Sequence, residues 1–216
     1  MKNKQFDELA VCGYEAVKAL AAVHPEHITR FFYTQERMKE FGDLCRLLAS
    51  ERKPYRLVDD EGELEKLCGS VHHQGVAAMI PQQEIVPCGK DDLQRWIENR
   101  ERVLVLDGVG NANNLGAIVR SAAFFGIRII VLGGETQHAL ITTSTYRIAQ
   151  GGMEYVRIYS VRALPRLLKD AAGRMIRIGT AVRARIRLEA IQGLLAGDAP
   201  DEGGTEGVLL VLGNEE

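Results

Sequence analysis

No apolar run in the 216 residues approaches the roughly 20 needed to span a bilayer. The N-terminal stretch MKNKQFDELA also lacks the apolar centre of a signal peptide. Both absences lead us to expect a cytoplasmic protein. Cysteine is sparse: Cys12, Cys45, Cys68 and Cys88 stand far apart, with no C-x-x-C pair and no histidine at a matching spacing. A zinc site and a disulfide framework are therefore not expected, and buried free thiols are the default. Net charge is also nearly absent, at −2, so the chain as a whole carries no polyanion-binding signature. What remains is ordinary for a globular protein: 46% hydrophobic and 26% charged residues, in a length that suits one or two domains with real cores.

The charges that are present are unevenly placed. Between Arg162 and Arg187 there are eight Lys/Arg against the single Asp170, and from Leu188 to Glu216 there are seven acids and no base. A basic block can follow phosphates in a neutral protein; a solvated charged face is the plainer reading. Within the block, VRARIRL at 182–188 alternates strictly. An extended segment there would carry Arg183, Arg185 and Arg187 on one face, either toward a polyanion or as a charged edge that stays soluble.

Hydrophobic periodicity gives an alternation of helices and strands. Residues 8–23 read as an amphipathic helix, 28–33 as a strand, and 35–50 as a helix with Met38, Phe41, Leu44, Leu47 and Leu48 on one stripe. A strand at 54–58, a short helix at 60–68 and a strand at 75–80 complete a small α/β sandwich over 1–80. The prolines and glycine of 81–90 mark a linker, followed by a helix at 91–101, so that 81–102 join the first domain to a second over 103–216. His72 and His73 precede Gln74-Gly75 and read either as ligand contacts or bases or, more plainly, as a polar turn entering a strand. Further on, a helix at 163–172, strands at 175–179 and 208–212, and a Gly- and Asp-rich loop at 193–207 are expected.

The chain is organised around residues 103–134. Val103-Leu104-Val105-Leu106 is a short apolar run of the kind buried on both faces in a parallel sheet. Asn113 or Asn114 can cap the helix that follows, which carries Leu115, Ile118, Val119, Ala122 and Phe125 and stops at Gly126 before a strand at 127–132. In helical projection Asn113, Gly116, Ala117 and Arg120 share a face. Two tiny side chains beside a fixed cation suit a phosphate or sugar; equally, Gly116 and Ala117 permit close helix packing and Arg120 is a surface charge.

The string LDGVGNANNLGAIVRSAAFFGI, with its N-x-G-x-x-x-R element from Asn114 to Arg120, resembles the first motif of the SpoU/TrmH-type RNA ribose 2′-O-methyltransferases of the SPOUT superfamily. CGYEAVKAL and VHHQGVAAMI resemble the N-terminal substrate-binding domain that many such enzymes carry, and Gly213-Asn214-Glu215 resembles the start of the second motif. The resemblance implies an α/β protein: a small substrate-binding domain, then a mostly parallel-sheet catalytic domain of the trefoil-knot type. It implies an rRNA or tRNA substrate, S-adenosylmethionine as methyl donor and a homodimer for the full-length form. Arg120 and Asn114 would serve the target nucleotide, with Glu215 orienting Arg120 or moving the proton. Thr180, Ala181, Leu212, Gly213 and Asn214 would hold the donor. Residues 144–145 would cap or face solvent, and the AQGG at 149–152 looks like the family's small-residue step.

Two departures bear on this. The family has a polar Ser/Gly loop where this chain has the arginines of 182–188. The sequence also stops before the family's third motif, so by resemblance the pocket lacks a wall, 208–212 should be loose or paired with another chain, and this form should bind the donor weakly and transfer no methyl. A non-catalytic RNA-binding protein is the alternative. A dinucleotide-binding domain fits less well: Gly108-x-Gly110 follows a strand and Glu135 closes the next, but Asn113 stands at the third glycine position of that fingerprint.

Overall fold

The computed structural model describes residues 8–134, 141–181, 183–184, 186–187, 190–191 and 206–213. By its internal contacts the chain forms two compact units, Met1–Glu84 with Gly110–Gly126 and His138–Val156, and Ile85–Val109 with Ile127–Gln137 and Arg157–Glu216.

The first unit is built on a mixed four-stranded sheet. Its strands are β1 (Glu8–Cys12), β2 (Arg30–Tyr33), β3 (Tyr55–Leu57) and β4 (Val76–Pro81), in the order β1-β4-β2-β3. Strand β4 runs antiparallel to both β1 and β2, and β3 is parallel to β2. Helices α1 (Tyr14–Val23), α2 (Gly42–Ser50) and α3 (Glu61–Cys68) follow these strands, and α5 (Ala112–Phe124) and α6 (Thr143–Ala149) belong to the same unit. ELAVC is thus a strand and not the first half of a helix. All five of its residues are buried, which a two-sided strand satisfies and an amphipathic helix does not. Gly13, at φ 95°, then breaks the chain direction and opens α1. The expected helix at 35–50 is likewise divided, into a 3₁₀ turn at Gln35–Arg37 and α2. A cluster of Ala10, Cys12, Phe32, Val58, Leu64, Cys68, Ala77 and Met79 forms one core of this unit.

The second unit is a wholly parallel six-stranded sheet ordered β5-β8-β7-β6-β10-β9. Its strands are β5 (Val86–Pro87), β6 (Arg102–Asp107), β7 (Ile129–Gly133), β8 (Arg157–Val161), β9 (Ile176–Gly179) and β10 (Val208–Leu212), with helices α4 (Lys90–Glu98) and α7 (Leu164–Asp170). The expected linker therefore contributes a strand: β5 pairs with β8, and the neighbouring Ile85 is buried. The apolar runs of β6 and β7 are buried as parallel strands require. Trp96, Val103, Val105, Val131, Leu164, Leu167 and Leu209 meet in this unit's core. Strand β10, expected to be loose or paired elsewhere, lies inside the sheet between β6 and β9, where both of its edges are hydrogen-bonded. Of the alternating arginine segment, 182, 185 and 188 lie outside the described residues; at its start the Ala184 amide donates to the Ala181 carbonyl at 3.1 Å. Alternation alone cannot hold a strand without a partner aligned to it. Arg183 and Arg187 are exposed there, while Arg185 and the loop residues 193–205 lie outside the described residues.

Candidate functional site

Helix α5 starts earlier than the sequence suggested. Its cap is Asn111, whose side-chain oxygen accepts from the Asn113 amide at 2.7 Å. Asn113 and Asn114 therefore lie inside the first turn, and Asn114 is an exposed third helical residue. Several asparagines in a row make each a candidate cap, and the one with extended backbone takes the role.

The face carrying Gly116 is not open. A Cβ placed on Gly116 would sit 2.8 Å from the Thr145 carbonyl oxygen and 3.0 Å from Ile148 Cβ. Helix α6 occupies the room that the missing side chain leaves, so Gly116 serves a close helix crossing. Thr142 caps α6, and Thr145 reciprocates by accepting from the Thr142 amide at 3.2 Å. Past α6, Gly151 and Gly152 make a second close approach. A Cβ on Gly151 would meet Ala19 of α1 at 2.6 Å, and one on Gly152 would meet Val119 O at 3.1 Å and Arg120 Cα at 3.2 Å. The small-residue step thus lets α1 and α5 both press on one turn, and it fixes the backbone from which Arg120 projects.

Arg120 is exposed and lines a cleft of about 330 Å³ with Gly13, Glu15, Ala16, His72, Gln74, Arg147, Ile148 and Gln150. Its Nη1 donates to Gln150 Oε1 at 3.4 Å, and no carboxylate pairs with it among the described residues. Gln74 Oε1 accepts from the Tyr14 amide at 2.7 Å and so completes the start of α1, which Gly13 cannot cap with a side chain. Gln74 and Gln150 have φ of 54° and 47°, a left-handed conformation that ordinary side chains adopt rarely. The two histidines divide: His73 is buried with Nδ1 accepting from the Gly75 amide at 3.1 Å, a structural role, while His72 is exposed in the cleft. A second groove of about 450 Å³ continues past Arg120 and is lined by Lys18, Ala19, Ala123, Phe124, Gly151 and Tyr155 among others.

In the second unit, the structure brings four of the expected donor residues together. Pairing of β9 with β10 sets Gly179 opposite Val211, so Thr180-Ala181 and Leu212-Gly213 leave neighbouring strands at the same edge. Thr180 donates to the Val211 carbonyl twice, from its amide at 3.0 Å and its hydroxyl at 3.2 Å, which ties the two loops. The strand order also reverses here, with β7 and β8 to one side of β6 and β10 and β9 to the other. In open parallel sheets the crevice outside the carboxyl ends at such a reversal is where ligands sit. Asn214 and Glu215 lie outside the described residues.

Residues 101–216 match the family model described as the SpoU rRNA Methylase family. The chain belongs to that family. SpoU membership extends to the N-terminal region, where residues 10–86 match a family described as RNA 2′-O ribose methyltransferase substrate binding. An uncharacterized tRNA/rRNA methyltransferase of Haemophilus influenzae is 33% identical over 159 residues, covering 73% of this SpoU chain and 44% of its own length. The chain thus spans less than half of that relative. The 23S rRNA (guanosine-2′-O-)-methyltransferase RlmB of Nitrosomonas europaea is 27% identical over 183 residues, or 84% of this chain and 69% of the relative. The fold is shared with a SpoU methyltransferase, AviRb of Streptomyces viridochromogenes, solved in complex with AdoMet. The TM-score is 0.61 at 20% identity, over 100% of this chain and 77% of that one.

Arg120 was singled out from the sequence as a candidate; Arg147, Gln74 and Gln150, which line the same cleft, were not. Their signal is long-range, since residues 13–16, 72–74, 120 and 147–150 meet only in the folded unit.

Proposed function

We propose that this chain transfers a methyl group from S-adenosylmethionine to a ribose 2′-hydroxyl of rRNA or tRNA in the cytoplasm. The observation that carries the reading is Arg120: a cation without a carboxylate partner among the described residues, held at a cleft by two glycine-mediated contacts, in a chain of the SpoU family. An arginine stays charged at any working pH and is a poor base. Its role is to hold the target phosphate and to stabilise negative charge as it develops on the 2′-oxygen. Asn114, exposed in the first turn of α5, orients the nucleotide. Glu215 orients Arg120 or accepts the hydroxyl proton.

The donor fits the edge formed by Thr180-Ala181 and Leu212-Gly213, with Asn214 following. Among the described residues Gly213 has nothing within 4 Å of where a Cβ would stand, which leaves room for a close approach to its backbone. When bound, S-adenosylmethionine supplies an electrophilic methyl group. Its adenosine is held there by main-chain groups, which explains why these loops carry so little side-chain chemistry.

The test has two arms. Calorimetric titration of the chain with S-adenosylmethionine should show binding, and incubation with rRNA or tRNA should place labelled methyl on ribose. Arg120→Ala should lower that incorporation by about 100-fold or more while donor binding and fold persist. Wild-type turnover in the variant would reassign Arg120 to packing, and RNA binding without donor binding would reduce the function to RNA recognition alone.

A further inference from the structure

We infer that Arg147 is a second anion-binding residue, which anchors an RNA backbone phosphate beside Arg120. This rests on the RNA reading above and extends it to a residue of α6 outside the motif.

Arg147 differs from the other arginines of its unit. Arg37, Arg46 and Arg56 are each ion-paired, to Glu40, Asp43 and Glu63, and an exposed arginine without a partner is satisfied by water. Arg147 is neither exposed nor ion-paired among the described residues: it is half-buried, its Nε is out of reach of solvent, and that atom has no hydrogen-bond partner there. A charged donor buried without an acceptor is destabilising. The shielded Nε cannot itself meet an anion from solvent, so an anion in the cleft that Arg147 lines would be taken by the terminal nitrogens of the guanidinium and would offset that cost as a charge nearby. The buried thiol of Cys12 does not supply one. Cys12, on which Arg147 acts electrostatically, is engaged by a hydrogen bond with Cys68.

The surroundings have the chemistry of a phosphate cradle. Arg147 and Arg120 line the same cleft, with His72, Gln74 and Gln150 as further polar side chains and Glu15 as the one carboxylate among its described residues. A volume of about 330 Å³ is too large for a lone ion and suits a nucleotide-sized fragment. A guanidinium offers five donors in a planar fork that matches phosphate oxygens. Two forks in one cleft can hold successive phosphates, which would set the register of the strand before chemistry at Arg120.

The experiment uses the full chain and a labelled single-stranded RNA, read by fluorescence anisotropy across a salt series, with Arg147→Met and Arg147→Lys. Adenosine monophosphate and inorganic phosphate serve as competitors, and urea unfolding without RNA is measured in parallel. Arg147→Met should weaken RNA binding roughly tenfold or more and make the slope of log K against log salt shallower by about 0.7. Arg147→Lys should recover the slope but not the full affinity, because it restores charge without the fork. The urea midpoint of Arg147→Met should equal or exceed that of wild type, since an unpartnered buried donor has been removed. A structural arginine gives the opposite, a lower midpoint with RNA affinity and slope unchanged, and that result overturns the inference. So does competition by adenosine monophosphate at concentrations matching the RNA, which would make this a free-nucleotide site. If wild type binds no RNA but adenosine monophosphate raises its midpoint and not that of Arg147→Met, the anion site stands and the RNA reading falls.

Discussion

Gly116→Ala is a small perturbation with a calculable consequence. The new Cβ would lie 2.8 Å from the Thr145 carbonyl oxygen, against an ordinary contact of at least 3.4 Å. Helix α6 must therefore retreat by about 0.6 Å, the difference between those distances. Overpacking of this kind costs about 1–3 kcal/mol, while replacing a mid-helix glycine by alanine returns up to about 1 kcal/mol of helix propensity. With that full return the net expectation is a loss of about 0–2 kcal/mol, against a gain of up to about 1 kcal/mol were the face open, read in the urea midpoint with an unchanged slope. Two controls sharpen it. Gly42→Ala, at the start of α2 with nothing within 4 Å of the new Cβ, should be neutral or stabilising. Adding Ile148→Ala to Gly116→Ala should not rescue, because the closest atom belongs to the backbone of Thr145. Since α6 carries Arg147, and Gln150 ends it, the retreat should also break the Arg120–Gln150 bond and weaken RNA binding. A Gly116→Ala protein more stable than wild type would refute the reasoning and reopen the view of Gly116 as space for a ligand.

Other expectations concern charge and thiols. Burial, aided by the charge of Asp92, pushes the Cys88 thiol up to about 11. About 100-fold less thiolate at pH 8, partly offset by a more nucleophilic sulfur, should slow its alkylation by iodoacetamide about tenfold relative to the unfolded chain; equal rates would refute this. Burial also holds the Glu154 carboxyl above its ordinary 4.5, against the His24 hydrogen bond at 2.8 Å. A raised carboxyl favours the folded state below the unfolded value, and that contribution is lost as pH rises through the folded one. Glu154→Gln should therefore gain stability relative to wild type as pH rises from 4.5 toward neutrality, and a pH-independent difference in urea midpoints would count against it. Replacing Arg183, Arg185 and Arg187 by alanine should make the salt slope of RNA binding shallower by about 0.7 for each phosphate no longer neutralised; an unchanged slope assigns them to solubility.

What the sequence made legible follows the range of the forces involved. The runs at β6, β7 and β10 announced buried parallel strands, because a strand covered on both faces needs apolar residues at every position. ELAVC followed the same rule, but it lies beside YEAVKALAAV, and the joined string imitates one amphipathic helix. Only the antiparallel partner, VAAMI of β4, distinguishes the two, and it lies more than sixty residues away. The cap of α5 was misplaced by two or three positions because side-chain chemistry does not choose among neighbouring asparagines; the backbone does. The arginine alternation at 182–188 is a weaker signal. A period of two is necessary for a half-buried strand but needs a free edge to pair with, and three residues of this stretch, 182, 185 and 188, lie outside the described residues.

The conformational costs in the first unit gather around Arg120 and Arg147. Gly116 gives up about 1 kcal/mol of helix propensity. Four non-glycine residues among those described have positive φ, and two of them, Gln74 and Gln150, line the cleft of Arg120 and Arg147. Each left-handed residue costs on the order of 1–3 kcal/mol, against a total stability of about 5–15 kcal/mol for a typical domain. Glycine at either position would relieve the strain, but it would remove an amide that makes a needed bond: Gln74 closes the start of α1, and Gln150 steadies Arg120. Strain kept for side chains that face a cleft, next to an arginine whose Nε has no partner among the described residues, is what a binding site stores before its ligand arrives. Filling the cleft with an anion would satisfy Arg147 and Arg120 together, and the cleft should be more rigid bound than free. Amide exchange at Gln74 and Gln150 should accordingly slow on adding RNA, and slow much less in Arg147→Met; equal protection in the two proteins would separate the strain from the ligand.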